Sequence, residues 1–192
     1  MSETGKVLRG CRAMWLTFDN ETLENTTCLG KDSDDQSVDL NPDVEQKKNV
    51  QGESVAEHNG YTPSMANEYL ARKEDAIYEH IQYIADNLAT DDEHIKATMI
   101  VATLDIEVAD TGDKTANGTG YKVSVKVAVN SDGGGTGGYA LPFTIYEDGA
   151  RIPGTVTVTD KKPAFTATST IAAKSSTQIK TSSKGSAEPS AQ

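Results

Sequence analysis

Three glycines, Gly133, Gly135 and Gly138, satisfy the GxGxxG spacing that lets a backbone approach a pyrophosphate. That fingerprint works only when a strand precedes it and a helix opens after it, because the helix N-terminus holds the phosphates. A strand-like segment follows here, so the spacing predicts a turning glycine loop between strands and no dinucleotide. Asp113 to Gly118 opens like a calcium-binding EF-hand loop, but its twelfth position is Ser124 where a bidentate Glu is needed. His58, His80 and His94 are scattered, and Cys11 and Cys28 form no CxxC pair, so no metal-ligand spacing is legible. The two thiols either sit on neighbouring strands and pair or remain buried and reduced. No GxSxG serine and no Cys–His arrangement appears. Carboxylates are abundant, so a close pair of them says little about acid–base work, and the acidic runs at 31–35 and 91–93 read as solvated faces. The chain is expected to be no enzyme and to carry no cofactor.

The elements that position these residues are mostly strands. Val123, Val125, Val127 and Val129 alternate with Lys122, Ser124, Lys126 and Ala128, and Leu104, Ile106 and Val108 alternate with Thr103, Asp105 and Glu107. Period two with one polar face predicts antiparallel strands buried on one side. Tyr139–Tyr146 and Arg151–Thr159 flank Glu147-Asp148-Gly149-Ala150 and are expected to form a hairpin, with shorter strands at Arg12–Phe18 and Thr26–Leu29. One segment, 74–88, reads as a helix, since Ile77, Ile81, Ile84 and Leu88 recur at spacings of three and four. The Asp91-Asp92-Glu93 cluster lies past its expected end. Fold class follows: mainly β with one flanking α-helix, an antiparallel β-barrel or sandwich.

A chain of 192 residues with 36% hydrophobic and 6% aromatic content supports one domain with one modest core. No run approaches the roughly 20 apolar residues of a membrane span. Met1–Gly10 carries Lys6 and Arg9 without an apolar stretch after them, so it does not read as a signal peptide, and folding in the cytoplasm is expected. The three N-x-S/T sequons, beginning at Asn20, Asn25 and Asn117, then carry no glycan. The net charge of −11 opposes a protein that grips phosphates; it suits a soluble surface, or one past which DNA moves without being held. Residues 1–11 read as an N-terminal arm, 12–168 as the β domain, and 169–192, rich in Ser, Thr, Ala and Lys, as a disordered tail. Residues 30–66 are polar and broken by Gly30, Gly52, Gly60, Pro42 and Pro63. Their larger apolar residues, Val38, Leu40, Val44, Val50, Val55, Tyr61 and Met65, are too sparse to bury the segment against its own chain. It is expected to be a flexible insertion, or an arm that orders on a partner.

Three stretches resemble the major tail-tube proteins of long-tailed bacteriophages and prophages of Gram-positive hosts. They are Leu40-Asn-Pro-Asp-Val-Glu-Gln-Lys-Lys-Asn49-Val-Gln-Gly52 with Gly60-Tyr61-Thr-Pro63; Asp75-Ala-Ile-Tyr-Glu-His-Ile81; and Gly138-Tyr-Ala-Leu-Pro-Phe143 with Gly149 and Gly154-Thr-Val-Thr157. The resemblance implies a small β-barrel whose subunits form hexameric rings, stacked into a tube through which DNA is ejected. It implies a virion location after synthesis in the host bacterial cytoplasm. The implied partners are further copies of itself, the tape measure protein, the tail tip and the tail terminator, with DNA passing through the lumen and no membrane. Under that resemblance Leu40, Asn41, Pro42, Val44, Asn49, Val50, Gly52, Gly60, Tyr61 and Pro63 are candidate inter-subunit contacts, and Asp105 and Glu107 are candidate acidic residues of the lumen. A type VI-like or minor tail ring protein, and an immunoglobulin-like surface-binding module, are the alternatives.

Overall fold

The computed structural model describes residues 9–19, 23, 25–30, 36–112 and 114–168. The expectations for residues 1–8 of the N-terminal arm, for the acidic run at 31–35 and for the tail at 169–192 lie outside the described residues. In chain order the strands and helices are β1 (Arg12–Thr17), β2 (Thr27–Cys28), β3 (Pro42–Lys48), β4 (Ser54–Tyr61), β5 (Ser64–Asn67), α1 (Tyr78–Asn87) and α2 (Asp92–Ile95). There follow β6 (Lys96–Leu104), β7 (Ala116–Val129), β8 (Gly133–Gly135), β9 (Gly138–Ala140), β10 (Phe143–Glu147), β11 (Ile152–Thr159) and β12 (Lys162–Ala167).

The protein is mainly β, and its principal sheet is an antiparallel half-barrel that curls on itself. Strand β7 is its hub. Along one edge β7 pairs with β6, from Gly118↔Leu104 to Lys126↔Lys96. Its other edge is shared: Ala116 to Lys122 pair with β11, and Val125 to Val129 pair with β10. The sheet therefore forks, one branch running to β5 through β10 and the other to β12 through β11. This corrects the expected hairpin around Gly149. β10 and β11 run end to end in the same direction, joined at the fork, where Glu147 and Arg151 clasp through two hydrogen bonds of 2.8 and 2.7 Å. The segment 139–146 is also broken: β9 ends at Ala140, Leu141 and Pro142 intervene, and β10 begins at Phe143.

Sequence alternation implied one buried face, but the centre of the sheet is buried on both. Met14, Leu16, Met99, Val101, Val123 and Val125 point to the face covered by α1 and the β5–β10 branch. Ala13, Trp15, Ile100, Ala102 and Leu104 point to the opposite face, where Val156 and Val158 of β11 close over them. Strands covered on both sides read as continuous apolar runs, as β1 and β6 do. The single core expected from composition is thus two clusters back to back. Trp15 is wholly buried, and its indole N–H donates to the Lys161 carbonyl at 3.0 Å, pinning the β11–β12 turn onto β1. That turn has Asp160 and Lys161 at φ 50° and 62°, the pair of left-handed residues that a two-residue hairpin connection requires.

Helix α1 buries Ile81 and Ile84, with Ile77 just before it, against the first face. It is shorter than 74–88. Glu74 to Ile77 are turns, and Leu88, expected on the apolar stripe, is the left-handed residue that ends the helix, at φ 49° and 83% exposed. Asp91-Asp92-Glu93 do not simply trail past a helix end: they cap and open α2, a single turn that leads directly into β6. β6 itself stops at Leu104. Asp105 accepts a hydrogen bond at its Oδ1 from the Asn117 backbone N–H and donates its own N–H to the Asn117 carbonyl, so the chain bends there. A 3-10 turn at Val108–Gly112 follows.

Candidate self-association surface

The polar segment expected to lack structure of its own divides in two. Its ends belong to the body: Gln36 and Met65 are buried, and Asp39 pairs with Ser64. Met65, expected to be too isolated to join a core, is part of the main one. Between them β3 and β4 form a two-stranded ribbon, paired from Pro42↔Tyr61 to Lys48↔Ser54, whose strands pair with nothing else among the described residues.

Its local chemistry explains the turn. Asn49 Oδ1 accepts from the N–H groups of Gln51 and Glu53 at 3.0 and 2.9 Å, and Gly52 supplies the left-handed φ of 82°. At the foot Asn41, itself left-handed at φ 43°, donates its amide to the Thr62 carbonyl and to Ser64 Oγ, both at 3.0 Å. A bulge follows Asp43, since Asp43 pairs with Gly60 and Val44 with His58, leaving Asn59 as the extra residue. Pro63 accepts the Glu147 N–H at 3.1 Å and so ties the ribbon's foot to β10.

Strand alternation, with the bulge counted, sorts the ribbon into two unlike faces. Glu45, Lys47, Val55 and Glu57 lie on one, where Lys47 bridges Glu45 at 3.0 Å and Glu57 at 2.8 Å. The other carries Pro42, Val44, Gln46, Ala56, His58 and Tyr61, with no charge until Lys48, which pairs with Ser54 near the tip. On it the His58 and Tyr61 rings meet at 4.5 Å. Every residue of β3 is exposed, Tyr61 is 57% exposed, and Val50 at the tip is fully so. One face is thus charged, with Lys47 held between Glu45 and Glu57, and the other is uncharged over most of its length, aromatic and exposed.

The sequence candidates fall into place unevenly. Leu40, Asn41, Pro42, Val44, Asn49, Val50, Gly52, Gly60, Tyr61 and Pro63 all lie on this ribbon or its foot, although Asn41, Asn49, Gly52 and Gly60 shape the backbone. Asp105 and Glu107 do not share the polar face of a strand with Thr103; they sit in the bend after β6, where Glu107 lies against Gly10. The glycines at 133–138 make the small β8–β9 hairpin, with no helix after it. Cys11 and Cys28 are both free thiols. One grouping amends the reading of scattered histidines: ligand atoms of Asp91, Glu93 and His94 lie within 4.8 Å of one another on the surface, with His94 Nδ1 bonded to Asp91 Oδ2. The ribbon itself escaped sequence reading because both its strands are exposed and its alternation is between polar and weakly apolar residues. No family model matches the chain, and no curated protein matches it.

Proposed function

We propose that this chain is a structural subunit that assembles with copies of itself into rings and stacked tubes of the phage tail-tube type. The observation that carries the reading is the β3–β4 ribbon, which stands off the body with a face uncharged up to Lys48 near its tip and left exposed among the described residues. An isolated two-stranded hairpin is marginal in water, and a projecting ribbon of this kind gains its cover from a neighbouring copy. Burial of Val44, Val50 and Tyr61 at such a contact would contribute roughly 1.5–3 kcal/mol each. The curled sheet supports the same reading, because its terminal strands β12 and β2 leave edges that natural proteins pair or cover. With the tube go a lumen through which DNA passes unbound, consistent with a net charge of −11, and contacts with tape measure, tail tip and terminator proteins.

Negative-stain microscopy and mass measurement of concentrated protein test the proposal. Uniform rings or hollow tubes are expected from the wild type, and a folded chain that fails to polymerise from Val50→Asp combined with Tyr61→Asp. A double variant that assembles normally overturns the role of the ribbon. A wild type that stays monomeric at every concentration, with and without a tail tip, overturns the whole reading.

A further inference from the structure

At the foot of the ribbon lies a concavity of about 410 Å³ onto which three arginines converge, in a chain with an excess of eleven negative charges. Arg9 comes from a short 3-10 turn, Arg12 from the start of β1 and Arg151 from the fork between β10 and β11. Their charges are handled differently. Arg151 lies over the Tyr121 ring at 4.3 Å and is neutralised by the fork to Glu147, whose side chain is only 5% exposed. Arg9 donates to the Arg12 carbonyl at 2.9 Å and to the Gln36 carbonyl at 2.6 Å, and Arg12 donates to Thr103 Oγ1 at 3.0 Å. These oxygens are neutral. Among the described residues no carboxylate reaches ion-pairing distance of Arg9 or Arg12, and both side chains are exposed. Two guanidinium groups are therefore oriented by neutral oxygens, and among the described residues no carboxylate takes up their charge.

The matching anion is at the other end of the same sheet. Arg12 stands opposite Thr103 near the end of β6, whereas α2 runs straight into Lys96 at its start. Seven residues of strand separate the two positions, roughly 23 Å. Asp92 is engaged by Lys126 at 2.9 Å and Asp91 Oδ2 by His94 Nδ1, which leaves the second oxygen of Asp91 and the Glu93 carboxylate converging on one exposed turn. We propose that Arg9 and Arg12 receive the Asp91–Glu93 turn of a second copy of this chain, head to tail. The inference rests on the self-assembling reading above, with which the pocket is continuous, since Val38 and Leu40 at the ribbon's foot line it. Because donor and acceptor are different patches at opposite ends, the contact is heterologous: repeated, it closes a ring or extends a filament and cannot stop at a two-fold dimer. Exposed ion pairs add little affinity but steer encounter and set register. The ribbon's apolar face would hold copies together, and the arginines would decide which way round.

Complementary charge reversal tests this. One chain carries Arg9→Glu and Arg12→Glu, the other Asp91→Arg and Glu93→Arg. Each alone should lose assembly at least tenfold in critical concentration at low salt. Their equimolar mixture should assemble with strict alternation, because both of its contacts pair opposite charges again; recovery on mixing also shows that neither chain was misfolded. If both reversed chains assemble like wild type, or if neither mixing nor the fourfold swap within one chain restores assembly, the arginine–acid contact is wrong. Wild-type assembly under the same conditions keeps that failure separate from failure of the tube reading, whereas wild type that never assembles sinks both.

Discussion

Burial pushes the Cys28 thiol up to about 11, against a smaller lowering from Lys161. The Tyr69 phenol is likewise raised, chiefly by burial and then by the Asp75 carboxylate to which it donates at 3.1 Å. Both groups hold their protons more tightly folded than unfolded. The stability they contribute is complete below the unfolded pKa, 9.0 for the thiol, and is lost as pH rises through the folded value. Denaturant unfolding at pH 8 and pH 10.5 should therefore show a falling stability, of which Cys28 accounts for about 2 kcal/mol. Cys28→Ala should remove that share of the slope; an unchanged slope would mean that the thiol is not buried as described. A second residue with a measurable effect is Gly154, where an added Cβ would lie 2.5 Å from the Thr166 carbonyl and 2.4 Å from the Phe165 ring. The backbone cannot give way as a flexible side-chain end could, so Gly154→Ala should destabilise by about 1–3 kcal/mol in thermal or denaturant unfolding. A neutral outcome would show that β12 shifts freely.

Among the elements, α1 ends on a leucine in a conformation suited to glycine, with its side chain in solvent. Leu88→Gly should relieve the left-handed strain at no packing cost and stabilise the protein by about 0.5–1 kcal/mol. A loss of stability would place Leu88 in a contact. The ribbon invites excision, since Asn41 and Thr62 are already bonded across its foot. Joining them through two glycines in place of residues 42–61 should leave the melting temperature of the body nearly unchanged while abolishing assembly. A collapsed body would make the ribbon part of the folding unit. Alternation marks β7 in the sequence because its side chains meet unlike surroundings on successive residues, whereas β1, covered on both faces, reads as a continuous apolar run. Alternation could not say which strands pair: β10 and β11 read as strands, but the partner they share is β7, which ends at Val129 before the β8–β9 hairpin intervenes. It also misjudged β6, where Asp105 stops the strand by bonding to Asn117, a contact across twelve residues. Arg9, Arg12 and Arg151 carry no joint signal in the chain because only the curl of the sheet brings them together.

For the whole molecule, protection should divide along the same line. Amides of β6 are paired on both sides and covered on both faces, and β7 pairs along both its edges, so their hydrogen exchange should be slowest and alike in free and assembled protein. Those of β3 and β4 should exchange fast in the free chain and slow in assemblies; fast exchange in both would remove the ribbon from the contact. The forked edge of β7 has a bearing on synthesis as well. β10 and β11 are both made after β7, and between them they complete its second edge. A nascent chain that has emerged through Val129 can pair β1, β6 and β7 but exposes an uncovered edge fourteen residues long, the kind of template on which strands of other chains add. Products of premature termination between β7 and β10 would then be sticky rather than inert, joining one another or trapping longer chains before their own β10 and β11 arrive.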